Sequence, residues 1–271
     1  MSFARPLRHC LLALSITLAA GPARADRLDD VKAKGRLVVG VSDTTPPFSF
    51  RKPDGALAGY DLDIVRLVAS RLGAALDMVP LSSAERIPML QSDKLDFVAT
   101  SMTRTTSRLK DIDFSAIYFV TPHAIIVKAA SGIGSVKQLA GRKVSSASTS
   151  TAGENVKDAV PGAEIVYVRD YAIAFQALKE GTVDAFATDK TVLEAIIQQD
   201  GSPADYKFLP DFTKSRDVGF ALKKGEPRFK AEIDRILLEL EASGEAAKIF
   251  ETWFGAGTQQ PMPRTFRIHQ D

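Results

Sequence analysis

The fold is decided by residues 37–81, which read LVVGVSDTTPPFSFRKPDGALAGYDLDIVRLVASRLGAALDMVPL. Residues 37–41 form an apolar and mostly β-branched run, which predicts a strand buried inside a sheet. Residues 60–73 repeat apolar side chains every three or four positions and end in glycine, which predicts a helix. Residues 77–81 predict a second strand. A strand, a helix and a strand in succession indicate a parallel sheet with helices on its faces.

The same alternation continues to a third strand at 95–100 and then starts again. The second series has strands at 124–128, 143–147, 165–168 and 183–187 and helices at 151–160, 171–179 and 190–198. A last strand at 218–222 precedes a mostly helical stretch at 227–254. Two such series predict an α/β protein with two lobes, each with its own sheet.

Two predicted helices begin with a hydroxyl residue three positions before a glutamate. Ser82 and Glu85 precede a short helix, and Thr151 and Glu154 open the helix at 151–160. This spacing predicts a capping box at both helix starts.

No linker rich in proline, glycine or serine separates the two series. Extended segments near 121–128 and 215–221 can instead cross between the lobes twice. We therefore assign residues 26–125 and 219–271 to the first lobe and residues 126–218 to the second. Two crossings make a stiff double hinge, which suits a protein that closes around a ligand.

The first 25 residues have the features of a secretory signal peptide. Arg5 and Arg8 give a positive start, residues 10–20 are apolar, and Ala23-Arg24-Ala25 matches the A-x-A cleavage pattern. The apolar run is too short to span a bilayer. We expect cleavage after Ala25 and a mature protein in the periplasm; a buried N-terminal helix is the alternative.

The composition excludes several classes of protein. The chain of 271 residues has a formal net charge of +2, with 45% hydrophobic and 25% charged residues, as ordinary globular proteins have. Cleavage removes three basic residues, no acidic residue and the single cysteine, Cys10. Cys10 stands at the start of the apolar run, where a lipid anchor is not expected. We expect a monomer without disulfides and without a nucleic-acid partner.

Five short motifs occur in the order in which one known family has them. They are GRLVVG at 35–40, PFSF at 47–50, GYDLD at 59–63, RIPML at 86–90 and the stretch from SGEA to WF at 243–254. With these motifs the chain resembles the polar amino-acid binding proteins of bacterial ABC importers, closest in pattern to the glutamate/aspartate-binder branch. The resemblance implies a type II periplasmic-binding-protein fold, in which two lobes with mixed, mostly parallel sheets are joined by a double-crossing hinge. It also implies an inner-membrane ABC permease as the partner.

The resemblance places ligand contacts of the first lobe in residues 100–108, TSMTRTTSR. In the family, an arginine five residues after a hydroxyl residue binds the α-carboxylate of the ligand, and Arg108 corresponds to it. A planar guanidinium can bind a carboxylate through two parallel hydrogen bonds. Ser101 and Thr103 are expected to add hydroxyl groups to the pocket wall. The alternative for Arg108 is a solvated surface arginine.

On the second lobe, Asp189 corresponds to the aspartate that binds the α-ammonium group in the family. Its alternative role is that of a helix N-cap. Residues 148–151, STST, resemble the loop whose backbone N–H groups meet the ligand carboxylate at a helix N-terminus. Thr149, Ser150 and Thr151 are therefore candidate ligand-binding residues, with simple capping as the alternative. Thr149 stands where the family often has glycine.

Three positions depart from the family pattern. Thr45 replaces the aromatic residue that stacks on the ligand in some members. Ser42 and Tyr171 replace the arginine and the histidine of glutamate/aspartate binders, which disfavours an acidic ligand. Asp43 and Tyr171, together with Ser42 and Tyr118, are candidates for lining a pocket for a side chain with an amide or a hydroxyl. Packing or surface positions are the alternative for these four residues.

The expected mechanism is hinge closure around an amino acid or a related zwitterion or carboxylate. A zwitterion bridges Arg108 and Asp189 only in the closed state, so it favours closure. The first alternative is a cyclohexadienyl-dehydratase-like enzyme that uses an acid in the cleft, for which Asp189 and Glu154 are candidates. The second is a ligand-sensing subunit that signals through a separate partner. The sequence has no Ser-His-Asp set, no metal-spaced histidines and no phosphate loop, so we expect neither catalysis nor a cofactor or metal.

Overall fold

The computed structural model describes residues 26–210, 212 and 215–270. The predicted signal segment, residues 1–25, and its cleavage site lie outside these described residues. Within them, every helix is too short or too polar to reach across a bilayer.

The first half of the chain contains the following elements: α1 (Arg27–Lys34), β1 (Arg36–Val41), β2 (Thr44–Thr45), β3 (Ser49–Arg51), β4 (Leu57–Ala58), α2 (Tyr60–Leu72), β5 (Ala75–Pro80), α3 (Arg86–Gln91), β6 (Phe97–Ala99), β7 (Ile112–Phe114) and β8 (Phe119–Lys128). The second half contains β9 (Lys143–Ala147), α4 (Thr151–Ala159), β10 (Glu164–Val168), α5 (Tyr171–Glu180), β11 (Ala185–Asp189), α6 (Lys190–Gln199), β12 (Tyr206–Phe208), β13 (Ser215–Val218), β14 (Ala221–Lys223), α7 (Pro227–Ala242) and α8 (Glu245–Phe254).

The first sheet has the strand order β5-β1-β6-β14-β7. β1 pairs in parallel with β5 and β6, and its residues Leu37, Val39 and Val41 are fully buried. α2 packs against β5 and β6 and ends at Gly73, whose left-handed backbone suits glycine. The strand–helix–strand prediction for residues 37–81 is confirmed.

The second sheet has the strand order β10-β9-β11-β8-β12. β10, β9 and β11 are parallel, whereas β8 is antiparallel to both β11 and β12. Each lobe therefore has a mixed sheet, and the predicted two-lobed α/β architecture is confirmed.

The last predicted strand, 218–222, is two strands in the structure. β13 pairs with β8, whereas β14 pairs with β6 and β7 in the first sheet. Gly219 and Phe220 connect them, and the Phe220 N–H donates to Ser115 Oγ at 2.9 Å. The prediction of one continuous strand is wrong, because the chain passes from one sheet to the other at this point.

The chain runs between the two sheets along two neighbouring strands. β8 pairs with β13 over residues 119–122 and then with β11 over residues 123–127. These strands fall on the two segments that the sequence offers as crossings. The division into lobes after residues 125 and 218 stays a prediction.

Phe119, at the start of β8, lies in an aromatic cluster of the first lobe. Its ring centroid is 4.8 Å from that of Phe48, 5.2 Å from that of Phe254 and 5.3 Å from that of Tyr60. The ring centroid of Phe266, in the extended chain after α8, lies 4.9 Å from that of Phe119. Edge-to-face and tilted pairs of this kind are favourable beyond their buried area. The cluster thus fixes the beginning of the crossing strand.

The two predicted capping boxes do not form as expected. α3 begins after Glu85, not Ser82, although the Ser82 N–H and Oγ–H both donate to Glu85 Oε2. α4 begins after Ser150, whose Oγ accepts from the Ala152 N–H at 3.2 Å. Glu154 instead accepts a hydrogen bond from the Tyr167 hydroxyl. Thr151 is therefore the first helical residue, because a serine one position earlier is an equally good cap.

Candidate functional site

Arg108 lies between the two lobes. It begins a short 3₁₀ turn, Arg108–Lys110, and is only partly buried. Its Nη1 donates to the Thr103 carbonyl of its own lobe at 2.6 Å, and its Nη2 donates to the Thr149 carbonyl of the second lobe at 2.7 Å. Burial and the nearby charge of Arg86 lower its pKa to about 10, so it is cationic at neutral pH. Each Nη retains a second N–H for a ligand.

Asp189 is the last residue of β11 and the N-cap residue of α6, and it is only 4% exposed. Its side chain makes no capping hydrogen bond, and its Oδ1 has no hydrogen-bond partner within the described part of the chain. Burial raises its pKa to about 7, although the charges of Arg108 and Arg86 act in the opposite direction. A buried carboxylate oxygen without a donor has strong capacity to accept one.

Ser101 and Thr103 are buried residues of the first lobe. The Ser101 N–H donates to Asp61 Oδ2 at 2.8 Å, which holds Ser101 in a left-handed conformation with φ 49°. Its Oγ is buried and has no partner among the described atoms. The Tyr118 hydroxyl donates to Asp61 Oδ1 at 2.8 Å. Tyr118 is therefore a core residue that orients Asp61, and burial raises the pKa of Asp61 to about 7.

The loop at 148–151 contributes a bond from the second lobe to the first. Thr149 has φ 63°, and its Oγ1 donates to the Ser83 carbonyl at 3.1 Å. A left-handed conformation is unfavourable for a β-branched residue, whereas glycine adopts it readily. The backbone N–H of Ser150 donates to the Ala147 carbonyl inside the loop, so this N–H is already used and does not bind the ligand carboxylate.

Two cavities lie near these groups: Arg108 and the loop at 148–151 line one, and Ser83, which accepts from Thr149, lines the other. One of about 620 Å³ is lined by Arg108, residues 148–151 and Arg216 among others. One of about 120 Å³ is lined by residues from the loops after β1 and before α3 and by residues just before α5: Ser42, Asp43, Thr44, Pro80, Leu81, Ser82, Ser83, Glu85, Arg86, Arg169 and Asp170. Among the described residues, no three His, Cys, Asp or Glu side chains are grouped to hold a metal ion.

The sequence model of the family described as bacterial extracellular solute-binding proteins, family 3, matches residues 37–256. The chain belongs to this family. It is 31% identical over 240 residues to an ABC transporter glutamine-binding protein of Bacillus subtilis, covering 87% of each chain. It is 29% identical over 270 residues to the glutamate/aspartate import solute-binding protein of Escherichia coli, covering 93% of this chain and 87% of that one.

Solved structures agree with this membership. An ancestral arginine-binding protein bound to glutamine has a TM-score of 0.77 and 37% identity, covering 82% of this chain and 98% of that one. The resemblance drawn from the five sequence motifs is confirmed.

Two of the residues considered for a side-chain pocket, Ser42 and Asp43, line the smaller cavity. The Ser42 Oγ lies 2.7 Å from Thr45 Oγ1. Asp43 lies 3.6 Å from an Arg51 nitrogen. Tyr171 begins α5, is buried, and lies near enough to Arg108 to affect its pKa.

Arg86 is a further candidate for the binding site, although in the sequence it stands out only as part of the RIPML motif at 86–90. It is 5% exposed, lines the smaller cavity, and has an Nε without a partner among the described atoms. It also lies near enough to Asp61, Asp189 and Arg108 to affect their pKa values. The local sequence gives no sign of this burial, because Arg86 opens a short helix, where arginine is usually exposed.

Proposed function

We propose that this protein is the periplasmic solute-binding component of an ABC importer and that it captures an α-amino acid between its lobes. One observation carries the proposal: Arg108 donates to the second-lobe loop at Thr149, and the Oδ1 of the buried Asp189, on the second lobe, has no hydrogen-bond partner among the described atoms and lies near enough to Arg108 to be affected by its charge. A zwitterion presents a carboxylate to Arg108 and an ammonium group to Asp189. The names of the relatives in Bacillus subtilis and Escherichia coli support this ligand class.

The ligand carboxylate binds the remaining N–H groups of Arg108, near the start of α4. The positive end of the α4 dipole adds to the attraction. The ligand ammonium group donates to Asp189 Oδ1 and lowers the pKa of Asp189 again, because a nearby cation favours the ionised carboxyl group. Ser101 Oγ is a further buried hydroxyl for the ligand.

The side chain of the ligand ends in an amide. Around the smaller cavity, Arg169 lies 3.3 Å from Asp170 and Asp43 lies 3.6 Å from Arg51, so these charges are paired. Arg86 retains an unpartnered donor that needs an oxygen acceptor. An amide offers this oxygen and, with its NH₂ group, also a donor for the oxygen atoms of Ser42 or Asp43. L-Glutamine is therefore the expected ligand.

Calorimetry of the processed protein with L-glutamine, L-glutamate, L-arginine and L-cystine tests the proposal. We expect the tightest binding for L-glutamine. Tightest binding of L-glutamate would show that Arg86 binds a side-chain carboxylate. It would overturn the assignment of an amide side chain and leave the proposal of an α-amino acid ligand in place. A response to organic acids without an amino group, and none to amino acids, would overturn the zwitterion proposal.

We also propose that the protein is a monomer without enzymatic activity that delivers its ligand to an inner-membrane permease after export and cleavage at Ala25. Cell fractionation with N-terminal sequencing of the mature chain tests the location and the cleavage site. Incubation with prephenate tests for dehydratase activity, and release of phenylpyruvate would overturn the non-enzyme assignment.

A further inference from the structure

His123 lies directly beside the proposed ammonium site. It is the strand partner of Asp189 in the antiparallel pair of β8 and β11, so both side chains lie on the same face of the second sheet. His123 is 2% exposed, and its Nε2 lies 3.4 Å from Asp189 Oδ1. The sequence alone gives this histidine no role.

Two residues of α4 fix the orientation of the imidazole ring. Asn155 Nδ2 lies 2.7 Å from His123 Nδ1, and Thr151 Oγ1 lies 3.3 Å from His123 Nε2. An amide NH₂ group can only donate, so Nδ1 must accept. The ring proton of the neutral imidazole is then on Nε2, which lies 3.3 Å from Thr151 Oγ1 and 3.4 Å from Asp189 Oδ1.

We propose that His123, oriented by Asn155, is a positioning residue that keeps the carboxylate of Asp189 aimed at the ligand ammonium group while contributing no positive charge. This inference rests on the proposed binding of an α-amino acid. At 3.4 Å the contact from Nε2 is long, so Asp189 Oδ1 keeps its capacity to accept a stronger, charged donor.

The absence of charge on the imidazole matters as much as its orientation. A cationic imidazole would compete with the ligand ammonium group for Asp189. The charged groups that act on the ring are Arg216 and Arg108, together with Asp189 itself. Burial, first, and the two arginines lower the pKa of His123 to about 3, so the ring is neutral throughout the physiological range.

Nitrogen-15 NMR of the histidine rings tests the tautomer. We expect a neutral, Nε2-protonated ring for His123 between pH 5 and 8, and the His123→Gln spectrum assigns its signals. A ring protonated on Nδ1, or one that titrates near pH 6.5 as free histidine does, would overturn the inference.

Variants test the positioning role through L-glutamine and its analogue without the amino group, glutaramate. His123→Phe removes the polar contact from Nε2, and we expect about three- to tenfold weaker binding of L-glutamine, the scale of one neutral polar contact. His123→Gln offers an NH₂ donor in its place and should recover most of that loss. Glutaramate, measured by displacement where its binding is weak, should respond less than threefold to His123→Phe.

Asn155→Asp places a hydrogen-bond acceptor beside His123 Nδ1 and therefore favours a proton on that nitrogen. We expect the ring of this variant to titrate closer to neutral pH and its affinity for L-glutamine to fall more steeply than that of the wild-type protein as the pH is lowered. If the wild-type protein binds L-glutamine and His123→Phe binds it with equal affinity, this inference is overturned and the proposed function stays intact. If the wild-type protein binds no amino acid, the proposed function itself is overturned.

Discussion

Arg108 Nη2 donates to the Thr149 carbonyl across the cleft at 2.7 Å, which joins the two lobes directly. Thr149 adds a second bond through its Oγ1 to the Ser83 carbonyl. One residue of the second lobe thus makes two bonds to the first, from a backbone conformation that costs a β-branched residue of the order of 1 to 3 kcal/mol. Hydrogen bonds between the lobes therefore contribute directly to how the two lobes lie against each other.

Replacement of Thr149 tests how much its hydrogen bond to Ser83 contributes to ligand binding. Thr149→Gly relieves the left-handed backbone and loses the bond to Ser83, whereas Thr149→Ser keeps the hydroxyl. We expect Thr149→Gly to bind L-glutamine about three- to tenfold more weakly than Thr149→Ser, the scale of one neutral hydrogen bond. Calorimetry of both variants measures the difference. Equal affinities would show that the bond to Ser83 does not contribute to closure.

Arg108→Ala should lose at least ~3 kcal/mol of binding free energy, the scale for removing one partner of a buried charge pair. Arg108→Lys keeps the charge without the planar fork and is the matched control, for which we expect an intermediate loss. Titration calorimetry with L-glutamine is the measurement. Near-unchanged affinity of Arg108→Ala would rule out its role as the carboxylate ligand.

The raised pKa of Asp189 makes both stability and binding depend on pH. Its pKa is about 7 in the folded protein and near 4 when unfolded, so between these values the folded state binds more protons and stability falls as the pH rises. Asp189→Asn should therefore raise the free energy of unfolding of the ligand-free protein by at least ~1 kcal/mol at pH 8 and by much less at pH 4. Urea denaturation at the two pH values measures this.

The ionised form of Asp189 is the form that binds an ammonium group. Affinity of the wild-type protein for L-glutamine should therefore weaken as the pH falls below about 7. Asp189→Asn should bind weakly at every pH and lose this dependence. Asp61, whose pKa is also raised to about 7, remains in both proteins, so a pH dependence that persists in Asp189→Asn would belong to Asp61.

Arg86→Met should lower the affinity for L-glutamine about tenfold or more, because the side-chain oxygen of the ligand loses a charged donor. Norvaline, an apolar amino acid of similar shape, should be bound almost equally by both proteins. Arg169→Gln is the control, because Arg169 lines the same cavity with a side chain that is 74% exposed. Equal losses for both ligands would indicate that Arg86 stabilises the fold rather than selecting the side chain.

The chain after α8 stabilises the start of the crossing strand. Phe266 packs on Phe119, and its ring also faces the Arg264 guanidinium at 5.3 Å. Phe266→Ala should lower the free energy of unfolding by about 2 kcal/mol, less than a fully buried phenylalanine because Phe266 is partly exposed. Arg267→Ala removes a surface ion pair with Glu241 and should change stability by less than about 0.5 kcal/mol. Thermal or urea unfolding compares the two variants.

Much of the candidate site was predictable from the sequence. Arg108 and Asp189 follow from the motif resemblance, and the structure places them near enough for each charge to affect the pKa of the other. Arg86 and His123 were not predictable as neighbours of these residues, because their roles depend on burial and on strand register. The hydrogen bond of Tyr118 to Asp61, which makes it a core residue, likewise joins positions 57 residues apart.

The sequence by itself determined the alternation of strands and helices, because apolar periodicity and glycine stops are local properties of the chain. It also determined that an arginine and an aspartate are present to match the two charges of a zwitterion. Only the tertiary structure decided where the chain changes sheets at Gly219, why Thr149 takes a glycine-like conformation, and that His123 faces Asp189. These features arise from contacts between residues far apart in the sequence, whose energies depend on burial and on the geometry of the folded chain.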